Sequence, residues 1–267
     1  MEIKRIISPD LKQHEEAVIF ELSFAGCVYA EEEAQLLLCA AQTPDELFHM
    51  VDQRAAGFPL EHVIGRAEFC GLQIAVDPGV FVPRMRSEFL VRQAIARAFP
   101  RAVVLDLCCG TGALGLALAA SVPDVELHAA DLDPAAVRCA RRNVEGAGGR
   151  VYEGDLYKPL PAALQGSVDI LIANAPYVPT DAIDLLPAEA RLHEGHAALD
   201  GGADGLDVQR RVAAEASIWL APGGCLLVET SERQAGHTLR IFADQGLRAE
   251  AVHSEEWEAT VVLGVRE

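Results

Sequence analysis

The sequence predicts a doubly wound α/β fold, a mostly parallel sheet of seven strands, preceded by a small helical domain. Three observations predict it. From residue 102 onward, short apolar runs alternate with helical stretches, the pattern of a parallel sheet covered on both faces. The run 169–173 is β-branched, apolar and free of turn residues, as a buried strand requires. Residues 1–66 carry helix starts and stops instead.

The elements follow in order. Ser8-Pro9 is a helix start and Gly26 a stop. Residues 30–42, rich in Leu and Ala, form a second helix. Thr43-Pro44-Asp45-Glu46 places a cap, a first-turn proline and an acid as in a capping box, and this third helix ends at Gly57. Residues 67–82 read as a hairpin linker, Phe69-Cys70, Gly71 and then Leu72 to Val76, with Asp77-Pro78-Gly79 as a second turn. Helix 87–99 opens a third region, 83–267. There, strands 102–107, 125–130, one from Val151, 169–173 and 225–229 alternate with helices 113–120, 134–144, 206–220 and 232–245. Residues 247–253 and 260–265 close the sheet as an antiparallel pair. The acidic, glycine-containing stretch 181–207 is long for a loop, and long loops beside strand ends are often lids or substrate loops.

Composition narrows the function. The 267 residues suit one large domain or two modest ones, and 51% are hydrophobic, ample for a core. No apolar run approaches the ~18 residues of a membrane span. The first ten residues lack the apolar centre of a secretion signal. Seven cysteines without a C-x-x-C pair indicate reduced thiols and a cytoplasmic location. Net charge is −18, opposite to a surface that tracks nucleic-acid phosphates. His193 and His196 have no evident third ligand, so no metal is expected.

Two strand ends carry the chemistry. Strand 169–173 stops at Asn174-Ala175-Pro176-Tyr177, and ligands of open α/β sheets sit at such carboxyl ends. Asn174 offers a side-chain acceptor and Ala175 a backbone acceptor, enough to grip a planar group bearing NH2. Pro176 biases Ala175 toward an extended conformation, and Tyr177 offers a ring face. Strand 102–107 runs into Cys108-Cys109-Gly110-Thr111-Gly112, where glycines let backbone approach a ligand. Gly110, Gly112 and Gly115 fit a dinucleotide fingerprint numerically, but Asp106 pointing into the pocket would repel a pyrophosphate. It suits a ligand with cationic groups, such as S-adenosylmethionine. Asp131, at the next strand end, can accept both hydroxyls of a ribose. Asp133 precedes Pro134 and reads as a helix cap, and Asp155 can accept from an adenine amino group.

Together these motifs resemble the protein-(glutamine-N5) methyltransferases that modify peptide-chain release factors. The resemblance covers nearly the whole chain. Glu61 to Gly65 and Glu68 to Leu72 are similar to that family's pre-catalytic segment, and Val82-Pro83-Arg84 to the start of its Ile-Pro-Arg-Pro-Glu-Thr segment. Residues 106–112 resemble its S-adenosylmethionine loop, and Asp131 its ribose acid. Asn174 to Tyr177 stands where the family has Asn-Pro-Pro-Tyr, which binds the target amide. Glu194 and the stretch 198–202 resemble further family motifs. The resemblance implies a Rossmann-like methyltransferase sheet that converts S-adenosylmethionine to S-adenosylhomocysteine. It implies cofactor contacts at Asp106, Cys108, Cys109, Gly110, Thr111, Gly112, Asp131, Leu132, Asp155, Leu156 and Asn174. It implies catalytic contacts at Asn174, Ala175, Pro176 and Tyr177, and substrate contacts there and at Arg84 and Glu194. The implied partner is a protein with an exposed glutamine loop, such as a release factor, met by a monomeric enzyme. Four departures concern the acceptor and the loop. Ala175 replaces a proline, Cys108 a glycine, and Met85-Arg86-Ser87 the Pro-Glu-Thr, reversing a charge. Glu258-Ala259-Thr260 stands where an arginine is common.

Other readings remain beside this one. An adenine-N6 methyltransferase shares the Asn-x-Pro-Tyr logic on a flipped base, but the acidic balance disfavours nucleic acid. A small metabolite is another acceptor class. A protein that holds S-adenosylmethionine without turnover would have no use for Asn174 and Tyr177.

Overall fold

The structure, a computed structural model, describes residues 7–267. Met1 to Ile6, part of the stretch read for a secretion signal, lie outside the described residues.

Five helices come first: α1 (Pro9–Lys12), α2 (Glu15–Phe24), α3 (Ala30–Ala40), α4 (Pro44–Ala55) and α5 (Leu60–Ile64). They share a core of their own, with Val18, Leu22, Leu37, Leu38 and Leu47 buried. The single helix expected from Pro9 to Gly26 is broken at Gln13–His14. There the Gln13 amide donates to the Asp10 carbonyl, and the His14 ring packs edge-on against Phe48, 5.0 Å between centroids. Thr43 caps α4 as expected, accepting from Glu46 N at 3.2 Å. The Glu46 carboxylate reaches one residue further back than a capping box requires, to Gln42 N at 2.6 Å.

The hairpin pairs β1 (Arg66–Phe69) with β2 (Leu72–Ala75). Its turn residues, Cys70 and Gly71, have φ of 50° and 73°, as a type I′ turn demands. A 3-10 turn (Met85–Ser87) then leads into α6 (Glu88–Ile95).

The remaining chain is β3 (Val103–Leu107), α7 (Ala113–Ser121), β4 (Glu126–Asp131), α8 (Pro134–Val144), β5 (Arg150–Glu153) and β6 (Val168–Ala173), then α9 (Ala188–His193), α10 (His196–Leu199), α11 (Asp207–Trp219), β7 (Leu220–Thr230), α12 (Glu232–Asp244), β8 (Leu247–Ser254) and β9 (Ala259–Arg266). The seven-stranded sheet has the order β5-β4-β3-β6-β7-β9-β8. All neighbours from β5 to β7 are parallel, while β9 runs antiparallel to both β7 and β8. Strand side chains alternate between two cores. Val104, Ile170 and Ile172 pack under α6, α7 and α8, whereas Leu105, Leu107, Leu171 and Ala173 pack against α11 and α12.

Two further expectations change. The strand placed at 225–229 begins at Leu220, which pairs with Val168; the Pro222-Gly223-Gly224 segment bulges out before Cys225 rejoins Ile170. The stretch 181–207 is largely folded, holding a 3-10 turn (Thr180–Leu185), α9 and α10. It is fastened by bridges pairing Gly79 with Glu194 and Val178 with Asp200.

Candidate active site

From β3 the chain winds outward through β4 and β5, then returns to β6 on the other side. That reversal opens a crevice at the carboxyl ends of β3 and β6. A cavity of about 580 Å³ lies there, within the size of small-molecule sites.

One half is built by the β3–α7 turn. Cys108, Gly110 and Gly112 all have positive φ, at 55°, 55° and 76°. A Cβ on Gly112 would stand 2.6 Å from Val144, so only glycine lets the turn lie against α8. Cys108, Cys109, Gly110 and Thr111 line the cavity. Burial pushes the Cys108 and Cys109 thiols far up, which disfavours their thiolate forms.

Asp131 ends β4 and faces the same cavity. Its Oδ2 accepts from Gly110 N at 2.8 Å and its Oδ1 from Asp133 N at 2.9 Å, so one carboxylate ties two strand-end turns together. Burial raises its pKa, and the backbone donors oppose that rise. Asp133 caps α8 as expected, accepting from Ala135 N at 2.8 Å. Leu132, exposed, and Leu156, buried, add apolar wall.

Asp106 does not point into the cavity, contrary to expectation. It is 1% exposed, and its Oδ2 accepts from Gly115 N at 2.9 Å. It lies on the strand face that carries Val104, beneath α7, and Gly115 lets the helix come that close. Asp155 lines the cavity, but its oxygens are taken by Arg211 at 2.6 and 2.7 Å and by Lys158 at 2.8 Å. Those two cations hold its carboxyl below the usual range.

The other half is the end of β6. Asn174 Nδ2 donates to Ser87 Oγ at 3.3 Å, and its Oδ1 accepts no hydrogen bond among the described residues. The Ala175 carbonyl accepts no hydrogen bond among the described residues. Gly201 and Gly205 pass close behind: a Cβ on them would stand 2.7 Å from the Pro176 carbonyl and 2.3 Å from the Tyr177 carbonyl. Gln234 Nε2 donates to the Tyr177 and Asp204 carbonyls at 3.0 Å each, joining the two segments.

The Tyr177 hydroxyl lies between Arg86 Nη2, at 2.6 Å, and Glu229 Oε1, at 3.1 Å. Burial, reinforced by Glu229, pushes the phenol well up, so it stays protonated. Glu229 was not singled out in the sequence. Its signal there is an acid at the carboxyl end of a buried strand. Glu194 is also displaced from its expected place. It is 6% exposed beneath the cavity wall, and its Oε1 accepts from Val82 N and Arg84 Nη2 at 3.1 and 2.6 Å. Of the six residues expected at the substrate, Asn174, Ala175, Pro176, Tyr177 and Arg84 line the cavity, and Glu194 holds Arg84 instead.

Residues 71–204 match the family model described as methyltransferase small domain. The release factor glutamine methyltransferase of Geobacter sulfurreducens is 40% identical over 199 residues, covering 74% of this chain and 69% of that protein. The chain belongs to the release factor glutamine methyltransferase family. This methyltransferase uses S-adenosylmethionine as its methyl donor, and the β3–β4 half fits that molecule: an open glycine turn, a strand-end acid and apolar walls. Also similar is the 4-amino-L-phenylalanine/4-methylamino-L-phenylalanine methyltransferase of Streptomyces pristinaespiralis, 36% identical, covering 78% of this chain and 73% of that protein. A methyltransferase from Pyrococcus furiosus shares the fold of this methyltransferase, with a TM-score of 0.56, 17% identity, and coverage of 73% and 89%. Among the described residues, no helix is long and apolar enough to cross a membrane.

Proposed function

We propose that the protein methylates the side-chain amide nitrogen of a glutamine in a protein, with a release factor as the leading acceptor. The single observation that supports this most is the pair of uncommitted acceptors at the end of β6, Asn174 Oδ1 and the Ala175 carbonyl. An amide NH2 presents two N–H donors in one plane, and two acceptors match them.

When bound, S-adenosylmethionine supplies an electrophilic methyl group on a positively charged sulfur. The chain's residues act on the acceptor. An amide nitrogen is a poor nucleophile because its lone pair is delocalised. Holding both N–H groups fixes the plane and aims the lone pair, and such positioning supplies roughly 7–11 kcal/mol in favourable cases. The same acceptors favour the hydrogens as they become more positive in the transition state. Tyr177 stays protonated between Arg86 and Glu229, so its part is to pack on the amide plane, and the product nitrogen releases its proton to water. On the donor side, we assign Asp131 to the ribose hydroxyls and residues 108–112 to the rest of the molecule. Asp106 shapes that turn from behind.

We take residues 1–66 as a docking unit for the acceptor protein, 67–82 as the linker and 83–267 as the transferase unit, working as a cytoplasmic monomer. A net charge of −18 favours a basic protein loop over a polyanion. A free amino acid bearing an aryl amine is the second reading, favoured by the Streptomyces relative. Incubation with labelled S-adenosylmethionine, a release factor and 4-aminophenylalanine, followed by mass spectrometry, tests the proposal. Label on a glutamine nitrogen supports it, and label only on the arylamine replaces it.

A further inference from the structure

At the acceptor end of the cavity, two guanidinium groups stand in front of the acids that neutralise them. The side chains of Arg84 and Arg86 keep 34% and 49% exposure, whereas those of Glu194 and Glu229 keep 0% and 2%. Both forks are pinned. Arg84 lies over the Phe81 ring at 4.9 Å and pairs with Glu194 at 2.6 Å. Arg86 lies near the Tyr177 ring at 5.9 Å, with Nε on Glu229 at 3.3 Å and Nη2 on the Tyr177 hydroxyl at 2.6 Å.

A guanidinium carries five N–H donors. Arg84 commits Nη2 and Arg86 commits Nε and Nη2; among the described residues, no other hydrogen bond is made by either fork. Both residues line the cavity. Glu189, half-buried, also lines the cavity, and its Oε1 is held by Arg54 at 2.8 Å. The other cavity acids, Asp131, Asp133 and Asp155, lie on the donor side, and each accepts from a backbone or arginine donor. On a chain of net charge −18, the acceptor therefore meets a local field of free, oriented N–H groups. Rigid forks of this kind match a carboxylate in bidentate geometry.

We propose that the Arg84–Arg86 pair anchors a carboxylate of the acceptor, close to the nitrogen that is methylated. This deepens the acceptor reading given above and rests on it. The carboxylate has two sources: an acidic residue flanking the target glutamine in a protein, or the α-carboxylate of a free amino acid.

Two matched acceptor pairs test it. One is a glutamine peptide flanked by aspartate against the same peptide flanked by asparagine. The other is 4-aminophenylalanine against its decarboxylated amine. Binding is read by calorimetry on the protein loaded with S-adenosylhomocysteine, and transfer by labelled S-adenosylmethionine. In at least one pair, the carboxylate form should bind about tenfold tighter, the scale of one charge-assisted hydrogen bond. Which pair shows it identifies the source. Arg86→Gln should remove that ratio, and Arg86→Lys, which keeps the charge without the fork, should retain part of it. Intact S-adenosylhomocysteine affinity in both variants reports a standing site. Methylation without carboxylate preference, or a preference untouched by Arg86→Gln, would overturn the anchor alone. Failure of the wild-type protein to bind or methylate any of the four acceptors would overturn the acceptor reading and the anchor with it.

Discussion

The Tyr177 hydroxyl donates to Glu229 Oε1 at 3.1 Å, joining the segment after β6 to the end of β7 beside the cavity. Glu229 is 2% exposed and its Oε2 has no partner among the described residues. Tyr177→Phe therefore removes a donor from a buried carboxylate. We expect a loss of about 1–3 kcal/mol in unfolding free energy, measured with denaturant. Glu229→Gln keeps an acceptor for the hydroxyl and should lose less activity than Glu229→Ala. Equal loss in the two variants would assign Glu229 a role other than holding Tyr177.

Asp106 predicts a pH dependence of stability. An aspartate titrates near 3.9 when unfolded, and burial pushes Asp106 up to about 7 in the folded protein. Its folded-state pKa is raised, so its contribution is whole below about pH 4 and is lost as pH rises through about 7, by at most about 4 kcal/mol. Asp106→Asn retains an acceptor for Gly115 N and cannot ionise. Relative to wild type, the variant should gain at least ~1 kcal/mol between pH 5 and pH 8 in denaturant unfolding of the ligand-free protein. A constant difference across that range would mean that Asp106 does not titrate there.

Gly115 is the residue that brings α7 onto β3. A Cβ there would stand 2.8 Å from Leu127 and 3.0 Å from Asp106 Oδ2. Gly115→Ala should destabilise the fold by roughly 1–3 kcal/mol, as overpacking does. Because the glycine turn sits at the start of the same helix, S-adenosylmethionine affinity should fall as well. Calorimetry and thermal unfolding on the variant check both.

How far the sequence reaches can be argued residue by residue. The strands β3, β4 and β6 and the second half of β7 were legible because burial on both faces leaves apolar runs beside glycine- and proline-marked turns. The Thr43 and Asp133 caps were legible because capping is local. The break at Gln13–His14 was not, since it depends on Phe48 arriving from another helix. Asp106 was misdirected for a reason of parity: side chains alternate along a strand, and Val104 and Asp106 share the face under α7. The pairing of Arg86 with Glu229 spans 143 positions and becomes visible only when the strands are in order.

Asn174 carries the central claim, and one experiment tests it most directly. Wild type and Asn174→Ala are each given labelled S-adenosylmethionine, a release factor and an oligonucleotide together, and the label is located by mass spectrometry. The account predicts label on a glutamine side-chain nitrogen with wild type and none with Asn174→Ala, whose S-adenosylmethionine affinity stays within about tenfold, or ~1.4 kcal/mol. Label on adenine and not on protein, or full transfer to glutamine by Asn174→Ala, would contradict it.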